Sequence, residues 1–336
     1  MELSTVSRVQ FEDDPSPERC PRSLAAELEI FDVPIPARLR QFGASVRAST
    51  LGSPNNPQVV VLGGISANCF PAVRPDGRPG WWSGLVGEGR PIDPREFRVI
   101  GVDFAADDDG KNVPTTVDQA AVLAAALDTI GASGPVAIIG ASYGGMVGLA
   151  LAAIFPERVA RLAIISAGAE PHPASTATRE LQRRVVSLGM VSGHADEALA
   201  IARGMAMLTY RTPEEFKERF SGGLTGPEPL SPSAPGAYLR ARGEAFRSVM
   251  CPGRFLSLSA SIDRHRVDPA AISAPTLIIG ADSDQLVLPS ELRELAAGLG
   301  GDASVHILPS LFGHDMFLKE AESVGKIVAP FLLQKA

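Results

Sequence analysis

Three cysteines, Cys20, Cys69 and Cys251, are all that 336 residues contain, and they stand far apart. No paired spacing exists among them, so neither a disulfide framework nor a zinc site is indicated. An idle or buried thiol is the expected state of Cys69. Basic runs are missing as well. The formal net charge is −7 and Lys and Arg nowhere cluster, which argues against nucleic acid and anionic membrane as partners. No stretch reaches the roughly 18 continuous apolar residues of a membrane span. The first twenty residues hold no apolar segment with a basic flank, and the expectation is a cytoplasmic protein. Aromatic residues are scarce at 6%, and both tryptophans stand side by side at Trp81 and Trp82. Internal repeats and low-complexity segments are absent.

What is present is apolar content of 45%, enough for a large core. Short apolar runs at 58–62, 97–103, 136–139, 159–166, 274–280 and 303–308 read as buried strands. A pair of β-type segments, 28–33 and 44–49, precedes them. Helical patterns alternate with these runs, one starting at Thr116 as N-cap and one from about Met316. The alternation predicts an α/β fold with a doubly wound, mainly parallel sheet. From about 170 to 268 the strand rhythm stops, and helices are predicted at 178–188, 195–208 and 213–219. Such an insertion is a natural lid over the carboxyl ends of the strands, where open α/β sheets bind ligands. The expected organisation is a flexible arm over 1–25, a core formed by 26–169 and 269–336, and a helical lid over 170–268.

The most informative stretch is PVAIIGASYGGM, residues 135–146. Here Ser142 stands between Gly140 and Gly144 in the spacing G-x-S-x-G, directly after an apolar run and before a helix. A serine on so tight a strand-to-helix turn needs small neighbours two residues either side, and it sits where helix N–H groups favour developing negative charge. A glycine-rich turn alone would look much the same, so the partners decide. In this fold the acid and the histidine follow in chain order, each after a strand. Asp284 follows TLIIG and His314 follows VHILP. His314 would take the proton of Ser142 and Asp284 would orient the imidazole. Asp282, two residues earlier, is the alternative acid. The oxyanion is expected to meet the backbone N–H groups of Tyr143 and Ile65, the latter in the small-residue loop after the 58–62 strand. His172, His194, His265 and His306 are read as structural or solvated. A dinucleotide-binding reading fails, because Ser142 occupies the second glycine position and no acid ends the next strand.

With these residues placed, the sequence resembles the homoserine O-acyltransferase family of the α/β-hydrolase superfamily. The resemblance runs over most of the chain from about residue 58. It is carried by GWWSGLVGEGRPIDPREFRVIGVD, GASYGGMVGLALAAIFPERVARL, ARGMAMLTYRTPEEFKERF, SDQLVLP and GHDMFL, of which GWW and GHD-x-FL are the most specific. The resemblance implies Ser142, Asp284 and His314 as triad, Arg203 for the carboxylate of the amino acid and Asp315 for its ammonium group. From chemistry alone Arg203 reads as a helix-surface charge and Asp315 as a helix N-cap. The implied reaction is a ping-pong transfer of an acyl group from acyl-CoA, as co-substrate, to L-homoserine, with no bound cofactor and no metal, in a homodimer. The compact length and the GGISA loop lean toward succinyl rather than acetyl transfer. Gln285 and Leu286 follow the acid where some succinyltransferases have an arginine, which leaves Arg179, Arg183 or Arg184 for the distal carboxylate. L-Serine as acceptor, or ester or amide hydrolysis by the same triad, are the alternatives.

Overall fold

The computed structural model describes residues 22–220 and 222–334. Most of the expected arm, 1–25, together with Cys20, lies outside the described residues. The last residues of that stretch depart from the expectation, because Arg22–Ala26 forms a short helix, α1, and Leu24 is buried. An apolar side chain with a core to join does not stay in a solvated arm.

Among the described residues eight strands form one sheet in the order β1-β2-β4-β3-β5-β6-β7-β8. β1 (Glu29–Pro34) and β2 (Ser45–Leu51) are antiparallel at one edge, and β2 pairs antiparallel with β4 (Arg98–Val102). From β4 onward every pairing is parallel, through β3 (Gln58–Leu62), β5 (Val136–Ala141), β6 (Val159–Ile165), β7 (Thr276–Ala281) and β8 (Ala303–Leu308). The central strands are apolar on both faces because both are covered. Val60, Ile100, Ile138, Ile164 and Ile278 face a core shared with α2 (Thr116–Thr129) and α3 (Tyr143–Ile154). Their alternates Val59, Val99, Ile139, Ile165 and Ile279 face a second core with Trp82, Phe317 and the last long helix. This is the period-two division of side chains that a twice-covered sheet demands.

Among the described residues five α-helices fill the stretch between β6 and β7: α4 (Pro173–Ser192), α5 (Ala195–Tyr210), α6 (Pro213–Arg219), α7 (Ala234–Arg247) and α8 (Pro252–Asp263). The last two were not anticipated, since α7 begins Ala-Pro-Gly and α8 begins Pro-Gly, residues that read as turns. In both cases proline occupies the first turn, where its missing N–H costs nothing. A further helix, α9 (Pro289–Gly298), joins β7 to β8, and α10 (Met316–Lys319) and α11 (Ala321–Leu333) close the chain. None of the helices among the described residues is long and apolar enough to cross a membrane.

α2 is capped one residue earlier than expected. Thr115, not Thr116, is the N-cap, because Asp118 three residues on completes a capping box with it. This frees the Thr116 hydroxyl to meet buried His265, whose Nδ1 lies 2.9 Å away and whose Nε2 lies 3.2 Å from the Gly168 carbonyl oxygen. A carbonyl only accepts, so Nε2 carries the proton and Nδ1 accepts from Thr116. Burial pushes the pKa of His265 down to about 4 from 6.5. Between those values the unfolded chain binds the proton and the folded chain does not, so this group lowers stability as the pH falls from about 6.5 towards 4. Urea unfolding from pH 7 to pH 5 is therefore expected to show about 2 kcal/mol less stability from His265. His265→Gln should unfold more easily at pH 7 yet show a shallower loss on acidification. Parallel slopes for the two proteins would contradict the assignment.

Candidate active site

The turn from β5 into α3 carries Ser142 at φ 54°, ψ −121°, a backbone region that costs an L-residue about 1–3 kcal/mol. It is held there from both sides. The Ser142 amide donates to the Ile165 carbonyl at 2.8 Å, and the Gly144 amide donates to the Gly63 carbonyl at 2.8 Å. A side chain at Gly144 would collide with the backbone of Leu62, and one at Gly140 with the backbone of Gly144. The G-x-S-x-G spacing is thus required by close backbone approach.

His314 reaches the turn from a 3-10 turn after β8. Its Nε2 lies 2.9 Å from Ser142 Oγ and its Nδ1 lies 2.8 Å from Asp284 Oδ2. The carboxylate only accepts, so Nδ1 carries the proton and Nε2 presents a lone pair to the serine. Asp284 is fixed in turn through Oδ1, which accepts from the amides of Leu286 at 2.8 Å and Val287 at 3.1 Å. Asp282, the alternative acid, is exposed and accepts from the Ser310 amide instead. Burial works against protonation of His314, but the Asp284 charge and hydrogen bond, with Asp315 adding to them, outweigh it, and the pKa stands above 6.5. A serine, a neutral imidazole and a buried carboxylate in this geometry form a unit able to make and discharge a covalent ester.

The backbone amides of Tyr143 and Ile65 form no hydrogen bond to a backbone acceptor in the loops or caps among the described residues. Tyr143 opens α3, and its side chain is anchored by a 2.6 Å contact with Ser261 while burial raises its pKa to about 12. Ile65 borders a second, wider cleft rather than the cavity over Ser142.

The cavity over Ser142 is narrow, with about 40 Å³ open to the centre of a water molecule. Met146, Ser166, Arg179, Tyr210, Leu286 and His314 are among its walls. Arg203 is not. Its guanidinium lies 5.2 Å from the ring of Tyr210 and 4.8 Å from that of Phe246, and Tyr210 in turn touches His314 with ring centroids 5.6 Å apart. Asp315 is buried and holds the N-cap position of α10, but its side chain makes no capping hydrogen bond: Arg211 Nε donates to its Oδ2 at 2.8 Å, and Arg211 also binds Glu215 at 2.6 Å. Of the three arginines on α4, Arg184 is exposed, Arg183 is held by Asp263 and Ser259, and Arg179 faces the cavity. Ser166 and Tyr210 went unrecognised in the sequence as site residues; Tyr210 stood within a family-like segment, whereas Ser166 carried no signal.

The wider cleft leaves about 650 Å³ open to the centre of a water molecule. Arg47, Arg74, Arg78 and Arg254 line it together with Asp32, Asp76 and Asp103. Arg47 pairs with Asp103 at 3.0 Å and Arg78 with Asp76 at 2.6 Å, while Arg74 makes no ion pair among the described residues. No group of three or more His, Cys, Asp or Glu side chains among the described residues is placed to hold a metal ion.

Two family motifs meet behind the histidine. Trp82 Nε1 donates to the Phe317 carbonyl at 2.9 Å, its ring packs edge-on against Phe317, and Phe317 packs edge-on against His314 with centroids 6.3 Å apart. Trp81 Nε1 donates to the carbonyl of Asn68, at the end of the Ile65 loop, at 2.9 Å.

Residues 59–321 match the profile of the alpha/beta hydrolase fold. A homoserine O-succinyltransferase of Xanthomonas campestris pv. campestris is 40% identical over 294 residues, covering 85% of this chain and 78% of the relative. An L-serine/homoserine O-acetyltransferase of Streptomyces lavendulae is 32% identical over 348 residues, covering 87% and 92%. Among solved structures, a homoserine O-acetyltransferase from Bacillus anthracis superposes with a TM-score of 0.79 over 92% of this chain and 98% of its own, at 16% identity, which is a likeness of fold.

Because His314 must be neutral to accept a proton, the reaction of Ser142 with a fluorophosphonate is expected to slow as the pH falls through a pKa above 6.5. Asp284→Asn is expected to move that limb to lower pH and to slow the reaction by roughly 10⁴-fold. An unshifted limb in the variant would break the assignment of Asp284.

Proposed function

The chain belongs to the homoserine O-acyltransferase family of the α/β-hydrolase fold, and on that premise we propose that it moves a succinyl group from acyl-CoA to the hydroxyl of L-homoserine, a step of methionine biosynthesis in the cytoplasm. The observation that carries the chemistry is the continuous hydrogen-bonded line from Asp284 through His314 to Ser142. Ser142 Oγ attacks the thioester carbonyl while His314 Nε2 takes its proton. The tetrahedral oxyanion meets the amides of Tyr143 and Ile65, a kind of donor worth about 3 kcal/mol each to such transition states. The C–S bond breaks, the thiolate leaves with the proton from His314, and acyl-Ser142 remains. The acceptor hydroxyl then gives its proton to the same nitrogen, attacks the ester, and Ser142 Oγ recovers the proton as it leaves.

Asp315 suits the ammonium group of the acceptor, since Arg211 fixes Oδ2 and Oδ1 accepts no hydrogen bond among the described residues. Arg203 remains the partner for its carboxylate, and with Tyr210 standing between it and His314, that contact requires the Tyr210 ring to turn aside. The narrow cavity has no room for the carrier of the thioester. We assign the carrier to the wider cleft beside Ile65, where the guanidinium groups suit its phosphates. The succinyl preference is supported by the 40% identical relative, and L-serine as a second acceptor by the relative from Streptomyces lavendulae. A homodimer is supported by an exposed apolar stripe on α4, where Leu181, Leu188 and Val191 share one helix face.

Release of CoA by the purified protein is expected to depend on homoserine, to be faster from succinyl-CoA than from acetyl-CoA, and to vanish in Ser142→Ala. Release indifferent to any acceptor would make the protein a hydrolase. On the assembly, Leu188→Asp combined with Val191→Asp is expected to sediment as a monomer where the unmodified protein sediments as a dimer; a monomeric unmodified protein would contradict that assignment.

A further inference from the structure

Ser166 is unusual on three counts. It follows the last residue of β6 with φ 50°, a left-handed conformation that a non-glycine residue adopts at a cost. It is fully buried, and its Oγ has no hydrogen-bond partner among the described residues. It also lines the cavity over Ser142. A buried hydroxyl left unpaired in a strained position is the mark of a group waiting for a ligand.

The second observation is the charge on the same wall. Arg179 donates from Nε to Asp263 Oδ1 at 2.7 Å, with Nη2 also within 2.6 Å of that oxygen, while Arg183 binds Asp263 Oδ2 at 2.6 Å. Two guanidinium groups thus share one carboxylate, and the cluster keeps one positive charge in excess. Arg179 Nη1 donates to nothing among the described residues. Because Nε and Nη2 are held, the guanidinium plane is fixed and its remaining donors are committed to one direction.

We propose that Arg179 and Ser166 form a carboxylate-binding subsite that receives the distal carboxylate of a dicarboxylic acyl group esterified to Ser142. The proposal rests on the transferase reading above and deepens it by naming the residues that select the acyl group. Arg179 supplies the charge and Nη1 as donor, and Ser166 Oγ supplies a second hydrogen bond. The acceptor is assigned to other elements, the middle of α5 and the loop after β8, so the two carboxylates in the reaction meet different arginines.

The test compares kcat/KM for succinyl-CoA and acetyl-CoA, with homoserine saturating, in the unmodified protein, Arg179→Gln, Arg179→Lys and Ser166→Ala. The ratio of succinyl to acetyl transfer is expected to fall about 10- to 100-fold in Arg179→Gln, to recover in part in Arg179→Lys, and to fall about 3- to 10-fold in Ser166→Ala. Ser166→Ala removes a hydroxyl that bonds nothing among the described residues, so its melting temperature should not drop, and it keeps the test valid if Arg179→Gln fails to fold. An unchanged ratio in folded variants overturns the subsite, as does a rise in KM for homoserine of equal size with both donors. Acceptor-independent release from both donors in the unmodified protein would instead sink the transferase reading, and the subsite with it.

Discussion

The turn after β5 can hold a strained serine only because two backbones touch where no side chain intervenes. Gly144 donates to the Gly63 carbonyl, and its missing Cβ lets it lie against Leu62 at the end of β3. That contact joins the start of α3, which Tyr143 opens, to the loop carrying Ile65, so the two segments are fixed to one another. The Ile165 carbonyl holds the same turn from the opposite strand. The parallel order β3-β5-β6 is what brings these three strand ends together, and the strain at Ser142 is sustained by the apolar cores on both faces of the sheet rather than by the site itself.

Support for the histidine comes from the other side of the molecule. Trp82 bonds the carbonyl of Phe317, and the Phe317 ring meets the imidazole, while Trp81 bonds the carbonyl of Asn68. The adjacent tryptophans therefore brace the His314 loop with one ring and the Ile65 loop with the other. The GWW motif, named in the sequence only as a family signature, is a strut between these two loops. Asp315 extends the same logic, since its link to Arg211 ties the histidine loop to the middle of the helical lid, between α5 and α6.

Much of this was legible in the chain because strands with both faces covered are continuous apolar runs, and Ser142, Asp284 and His314 each follow such a run. The partners of Ser142 lie 172 and 142 residues away, yet their order along the chain was enough to name them, and the structure places His314 between the serine and Asp284. What stayed hidden depends on tertiary contact. Whether Arg203 faces the cavity is decided by how α5 packs against Tyr210 and Phe246. Asp315 looked like a free helix cap because Arg211 is 104 residues away. Ser166 carries no sequence mark at all, since a positive φ at serine is imposed by its surroundings. The helices α7 and α8 were obscured by proline and glycine that sit harmlessly in their first turns.

The central claim is that Ser142 carries a succinyl ester between two half-reactions. Intact-protein mass spectrometry after mixing with succinyl-CoA and no acceptor tests it most directly. The account requires a mass increase of one succinyl group, located on the peptide containing Ser142 and discharged on addition of homoserine with formation of its O-succinyl ester. A protein that turns over while never gaining that mass on Ser142, or whose adduct homoserine does not remove, would contradict it.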